Sequence, residues 1–348
     1  MFLIRNMEIT VKKICVFICV SLMIISTCSC TNPFVKNNET QPPNIELIEI
    51  QNSDYTFTYK TTDGKIIFNN IPDQLDFADG LAVITENDKY GIVNKLGEKV
   101  VEPIYDFISG YQNGLCAFFI QDISQNVKIG YFNTKGEVAI EPKEAEMSLF
   151  SGYSYDYNFY NGLALYRNPQ NYKFGFIDTT GKLVIDTIYD WAEPFTGKLA
   201  PVTKGNKYGY INTSGTLVVP YKFVFAENFS DGLAAVYNGS TWGYIDETGN
   251  YVIPSKFGSY EGHDGEEIAN PFIDGYAAVY LGKGQALNSD IYKGQFALID
   301  KTGTILNGQK YDYLRAIPNG RNKVRYEVRL NGEDFMLNSI GQRIKEKY

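Results

Sequence analysis

The residues best suited to chemistry are few. Glu261, His263, Asp264, Glu266 and Glu267 crowd one short stretch, and His263 is the only histidine in 348 residues. A lone histidine among carboxylates could hold a metal or move a proton, but such runs are more often solvated acidic loops. One histidine excludes a multi-histidine metal site and leaves little room for Ser-His or Cys-His catalysis. Asn or Asp followed three residues later by glycine recurs along the chain, as at Asn94/Gly97 and Asp246/Gly249. A calcium loop needs several oxygen ligands in one short stretch, and each of these turns offers one. The pattern therefore reads as turn chemistry. Paired carboxylates for glycoside hydrolysis are always available among 40 acidic residues, but no spacing singles out a pair. Cys116, between Leu115 and Ala117, reads as a small core thiol. The aromatic run Phe150, Tyr153, Tyr155, Tyr157, Phe159 and Tyr160 suits protein or glycan contact, or else a longer strand pair packed on its neighbours. No cofactor motif is present in suitable context.

The rest of the composition narrows the class. The chain is 44% hydrophobic with a net charge of −8, so it can bury a core, and its acidity disfavours nucleic acid as a partner. Arg5, Lys12 and Lys13 precede a mostly apolar run, 14–25, which is too short to span a bilayer core of about 20 residues. That is the pattern of an export signal. Ser26-Thr27-Cys28-Ser29-Cys30 follows and resembles the lipobox of bacterial lipoproteins, although Thr27 stands where Leu is usual. The resemblance implies lipidation at Cys30, or alternatively Cys28, and a membrane-tethered location facing outside the cytoplasm. A plain signal peptide with incidental cysteines is the other reading. Residues 31–44, rich in Asn, Thr, Gln and Pro, read as a flexible tether, and 45–73 as an N-terminal β cap.

From residue 74 to 348 one phrase is repeated. Lys89-Tyr90-Gly91-Ile92-Val93-Asn94, Lys128-Ile129-Gly130-Tyr131-Phe132-Asn133, Lys173-Phe174-Gly175-Phe176-Ile177-Asp178, Lys207-Tyr208-Gly209-Tyr210-Ile211-Asn212 and Thr241-Trp242-Gly243-Tyr244-Ile245-Asp246 are copies. Weaker copies follow at 295–300 and 334–338. A turn and a small apolar run precede each copy, as in Asp231-Gly232-Leu233-Ala234-Ala235-Val236. An apolar pair, often with proline, follows, as in Val252-Ile253-Pro254. Alternation and β-branched or aromatic content spell three strands per unit. The anchor glycine is expected to let a neighbouring unit's aromatic pack on the backbone, and the proline to stop the ladder. The phrase is similar to the WG, or KWG, repeat of bacteria, most closely at Trp242-Gly243. The resemblance implies a β-rich array with binding as its role, and it brings no catalytic residues.

Seven three-stranded units of base period 34 favour an open, twisted solenoid, with a seven-bladed propeller as the alternative, because a propeller blade has four strands. The functional expectation is a non-enzymatic, extracytoplasmic binding or scaffold lipoprotein that contacts protein or glycan. The alternatives are a carboxylate hydrolase with its site on an inserted loop, or a plain spacer.

Overall fold

The structure is a computed structural model and describes residues 45–121, 127–144, 156–258, 270–282, 295–318 and 324–344. All of them lie in the second of two compact units, Thr40–Tyr348. Cys28, Cys30, the apolar run before them and the tether lie outside the described residues, as do Tyr153, Tyr155 and the acidic group 261–267.

The unit is all β. Strands β1 (Leu47–Gln51), β2 (Phe57–Thr61) and β3 (Ile66–Ile71) form an N-terminal sheet, and β4 (Leu81–Glu86), β5 (Lys89–Asn94) and β6 (Lys99–Tyr105) the next. A four-stranded sheet follows: β7 (Phe107–Ile108), β8 (Leu115–Gln121), β9 (Val127–Asn133) and β10 (Val138–Glu144). Strands β11 (Leu163–Arg167), β12 (Phe174–Asp178) and β13 (Leu183–Tyr189) make a three-stranded one. Two more four-stranded sheets come next. One is β14 (Trp191–Ala192), β15 (Leu199–Lys204), β16 (Lys207–Asn212) and β17 (Leu217–Phe223). The other is β18 (Phe225–Ala226), β19 (Ala234–Tyr237), β20 (Trp242–Ile245) and β21 (Tyr251–Phe257). A pair, β22 (Tyr276–Tyr280) and β23 (Phe296–Asp300), precedes the last sheet, β24 (Tyr313–Pro318), β25 (Val324–Leu330), β26 (Glu333–Leu337) and β27 (Arg343–Ile344). Every paired neighbour is antiparallel and sequential.

This corrects the expectation of an open solenoid built from three-stranded units. The seven sheets from β4 onward are seven blades arranged in a ring, a β-propeller. The missed strands are β7, β14 and β18. Each is two residues long and follows the preceding blade's last strand after one residue, so in the sequence it reads as that strand's tail. With it, the unit becomes the four-stranded meander of a propeller blade.

The Asn/Asp-x-x-Gly turns close the hairpins as expected. In the β16–β17 hairpin the Asn212 side-chain oxygen accepts bonds from the amides of Ser214 (3.1 Å) and Thr216 (2.9 Å). Gly215 closes the turn at φ 79°, the left-handed region that suits glycine. Where the first residue is Asp, the carboxyl is held below its ordinary range: Thr180, Thr248 and Thr302 hydroxyls bond Asp178, Asp246 and Asp300, with further bonds from backbone amides. A carboxyl depressed on folding contributes stability above its unfolded value of about 3.9, and that contribution is lost as pH falls through the folded value. Thermal midpoints should therefore drop on acidification below about pH 4. Replacing all three aspartates with asparagine, the residue at Asn94, Asn133 and Asn212, should flatten that part of the profile. An unchanged pH slope would show that the turns do not carry it.

The anchor glycines have a different role from the one expected. A β-carbon on Gly209 would sit 2.6 Å from the Val219 carbonyl oxygen, and one on Gly243 2.8 Å from that of Ile253. Those atoms belong to the adjacent strand of the same blade. The cause is a bulge: Tyr210 pairs with Val219 and Tyr208 with Phe223, so Gly209 alone faces residues 220–222. Proline does not stop the ladder either. Pro220 lies inside this bulge, where a missing donor costs least, and β17 runs on to Phe223.

Blades are joined by a recurring set of contacts. The aromatic after the anchor glycine meets an aromatic that lies shortly before β11, β15, β19 or β22 of the next blade: Tyr131–Phe159, Phe176–Phe195, Tyr210–Phe229 and Tyr244–Phe272 have ring centroids 4.8–5.0 Å apart. Tyr131, Tyr210 and Tyr244 also donate their hydroxyls to the carbonyls of Tyr157, Glu227 and Asn270 in the same segments. The turn glycine of each blade packs on the blade before it, as Gly249 does on Val219 and Gly303 on Ile253. Lys143, Lys222 and Lys256 reach from one blade to the carbonyls of Gly181, Gly249 and Gly303. Tyr210→Phe keeps the ring contact, as Phe176 does in the fourth sheet, and strands one carbonyl. It should cost about 1 kcal/mol in denaturant unfolding; a loss above about 3 kcal/mol would mean the hydroxyl does more than bond Glu227.

Candidate functional site

Of the expected aromatic surface, the described members are mostly interior. Tyr157 and Phe159 are buried, and only Tyr160 is half-exposed. Phe159 is a linker aromatic of the repeat, and Tyr157 carries the carbonyl that Tyr131 bonds. The insertion thus supplies a standard blade joint at its C-terminal end. Gly91, Gly130, Gly175, Gly209 and Gly243 occupy bulge positions, and Trp242 is buried against Phe225 and Tyr237. Gly130 differs in that the Phe118 ring fills the space a β-carbon would need. Cys116 is fully buried, and burial pushes its thiol up to about 12, which fits a core residue and not a nucleophile.

Two arrangements remain that the fold does not consume. The first is a carboxylate seam between the segment before β11 and the loop that joins β14 to β15. The half-buried Glu193 carboxylate accepts a bond from the Trp191 indole nitrogen at 2.6 Å, and burial raises its pKa, with Asp156 adding to the rise. Asp156 accepts the Tyr160 hydroxyl at 2.6 Å and the Asn158 amide at 2.9 Å. One carboxyl is thus pushed toward its neutral form beside another that is well hydrogen-bonded.

The second arrangement is on the last strand, a sheet edge, of three consecutive blades, β13, β17 and β21. Leu183 and Val184, Leu217 and Val218, and Tyr251 and Val252 recur every 34 residues, and all six side chains are 39–44% exposed. Singly scattered exposed apolar residues are ordinary, but pairs kept in register over three consecutive blades are not accounted for by folding. The residue that follows each pair (Ile185, Val219, Ile253) does fold: it is buried under the next blade's turn glycine. The sequence shows these apolar pairs but not their exposure, because on a strand of mixed burial the pattern loses its alternation. An open cavity of about 270 Å³ lies between the third and fourth sheets, and its lining includes Ile129, Lys143, Leu165 and Leu183. Among the described residues no group of three or more metal-ligating side chains gathers, and no helix is long and apolar enough to cross a membrane.

Comparison with known proteins agrees with the repeat. The WG containing repeat is found at residues 90–122, 174–208, 208–242 and 242–283. No curated protein matches the sequence. Among solved structures, the chain is similar to the WD40 domain of Toxoplasma gondii coronin, with 10% identity and a TM-score of 0.34 over 76% of this chain and 77% of that one. A protein of unknown function from Bacteroides caccae is similar at 13% identity and a TM-score of 0.23, covering 75% and 91%. TolB from Acinetobacter baumannii is similar at 14% identity and a TM-score of 0.23, covering 74% and 61%.

Proposed function

We propose that this chain is a non-catalytic interaction scaffold whose blades present a repeated apolar edge to a protein partner. The observation that carries the reading is the exposed pair at 183/184, 217/218 and 251/252. The other recurring residues of the repeat are absorbed by turns, bulges and blade joints. We further propose that Cys30, or Cys28, is lipidated and holds the chain on a membrane surface outside the cytoplasm, with no nucleic-acid partner and no cofactor. Residues 14–25 and the small residues before Cys30 support that address. The test combines affinity capture by the full chain with a glycan array and palmitate labelling of the Cys28→Ala and Cys30→Ala variants. Capture lost when Leu217, Val218, Tyr251 and Val252 are changed to serine supports the reading. Capture that is indifferent to those changes, or selective glycan binding without protein binding, overturns it. Absence of label in the unmodified chain removes the anchor.

The Glu193–Asp156 seam favours a second reading, a carboxylate hydrolase in which Glu193 donates the proton and Asp156, held by Tyr160 and the Asn158 amide, is the second carboxyl. Hydrolysis of a chromogenic glycoside that disappears in Glu193→Gln with unchanged stability would establish it.

A further inference from the structure

The five bulged last strands of the blades differ at one place. Strands β6, β10, β17 and β21 each carry a proline in the bulge, at Pro103, Pro142, Pro220 and Pro254. Strand β13 has Asp186 and Thr187 there instead. Proline on a sheet edge removes a backbone donor and blocks pairing with another chain, so natural sheets use it to blunt exposed edges. Strand β13 lacks that block and is the outermost strand of its sheet among the described residues. It is also the most apolar of the five on its exposed positions, with Leu183, Val184 and Ile188 at 40%, 43% and 48%. Asp186 is exposed and has no ion pair among the described residues.

We propose that β13 is the docking edge of the scaffold and accepts an added antiparallel or parallel strand from a partner protein. This rests on the scaffold reading above and deepens it. The occupant is an extended segment with apolar side chains on both of its faces, because the neighbours Leu183 and Val184 point to opposite faces of the strand, and with a lysine or arginine to meet Asp186. Main-chain bonds along an open edge supply affinity, and the side chains select the segment. A second copy of this chain is disfavoured by charge, because antiparallel pairing of β13 with itself centred on Asp186 places the two carboxylates opposite each other. The bulge tolerates the blocking residue: Pro103 and Pro142 occupy the position equivalent to Thr187, and Pro103 packs on Gly91 as Thr187 does on Gly175.

The experiment selects random twelve-residue peptides displayed on phage against the full chain, then measures a selected synthetic peptide by fluorescence anisotropy. The expected winners carry apolar residues at consecutive positions, one for each face, and a basic residue. Thr187→Pro should weaken binding at least tenfold, whereas Thr187→Ala, which equally loses the hydroxyl that Asn168 bonds at 3.2 Å but keeps the backbone donor, should bind like the unmodified chain. Asp186→Lys should shift preference from basic to acidic peptides. Val184→Lys provides a second block should Thr187→Pro fail to fold. Selection of no peptide, or binding unchanged in both blocking variants, overturns the proposal. So does a dimer in sedimentation that Thr187→Pro dissolves, since the occupant would then be a second copy. If a protein partner is captured equally by the unmodified chain and Thr187→Pro, the scaffold reading stands and this edge is excluded.

Discussion

Gly243→Val lowers the stability of the folded unit by about 2–4 kcal/mol. Strand β20 runs through the middle of its blade, and its glycine faces the bulge of β21. A β-carbon there meets the Ile253 carbonyl oxygen and the Ser255 backbone nitrogen and α-carbon, all at 2.8 Å. None of these is the end of a flexible side chain, so relief requires moving β21. That strand carries Ile253, on which Gly303 of the next blade packs, so the damage spreads across a blade joint. Gly243→Ala meets the same first carbon and should cost nearly as much, whereas Gly232→Ala, with nothing within 4 Å, costs only the strain of its φ of 84°. Denaturant unfolding measures the difference. A neutral Gly243→Val would remove the bulge as the reason for the anchor glycine.

Phe272→Ala should cost about 3–5 kcal/mol, the range for deleting a buried aromatic. The ring is 0% exposed and packs edge-on against Tyr244 at 4.8 Å. Its carbonyl accepts the Ser230 hydroxyl at 2.6 Å, and its neighbour Asn270 accepts that of Tyr244 at 2.9 Å. The residue therefore joins the blade of β18–β21 to that of β22 and β23. The deletion should also raise amide exchange in both blades together, while the blade of β4–β6 keeps its protection. A loss below about 1 kcal/mol, or exchange confined to one side of the joint, would show that the blades do not seal one another through this ring.

The repeat, its turns and its buried thiol were legible in the residues because each is local. Asn212 and Gly215 close a hairpin within four positions, and Cys116 is flanked by apolar residues on both sides. What was not legible depends on register. Whether Gly209 faces a neighbouring blade or its own bulge turns on how many residues of β17 lie opposite it, and proline at 220 looked like an end to the strand. The two-residue strands at Trp191 and Phe225 vanish into the strand before them, which hid the fourth strand of the blade and made the open array look better than the ring. The exposed pairs at 183/184, 217/218 and 251/252 were visible as apolar residues, and only burial separates them from the core residue that follows.

Small-angle scattering on a chain lacking residues 1–30 tests the ring most directly. A closed, compact unit of this size has a radius of gyration of about 20 Å. Eight sheets stacked about 10 Å apart in an open row would extend to about 80 Å, with a radius of gyration of about 25 Å or more. A value near the first, with a symmetric pair-distance distribution, is the expected result; an elongated profile near the second would contradict the propeller.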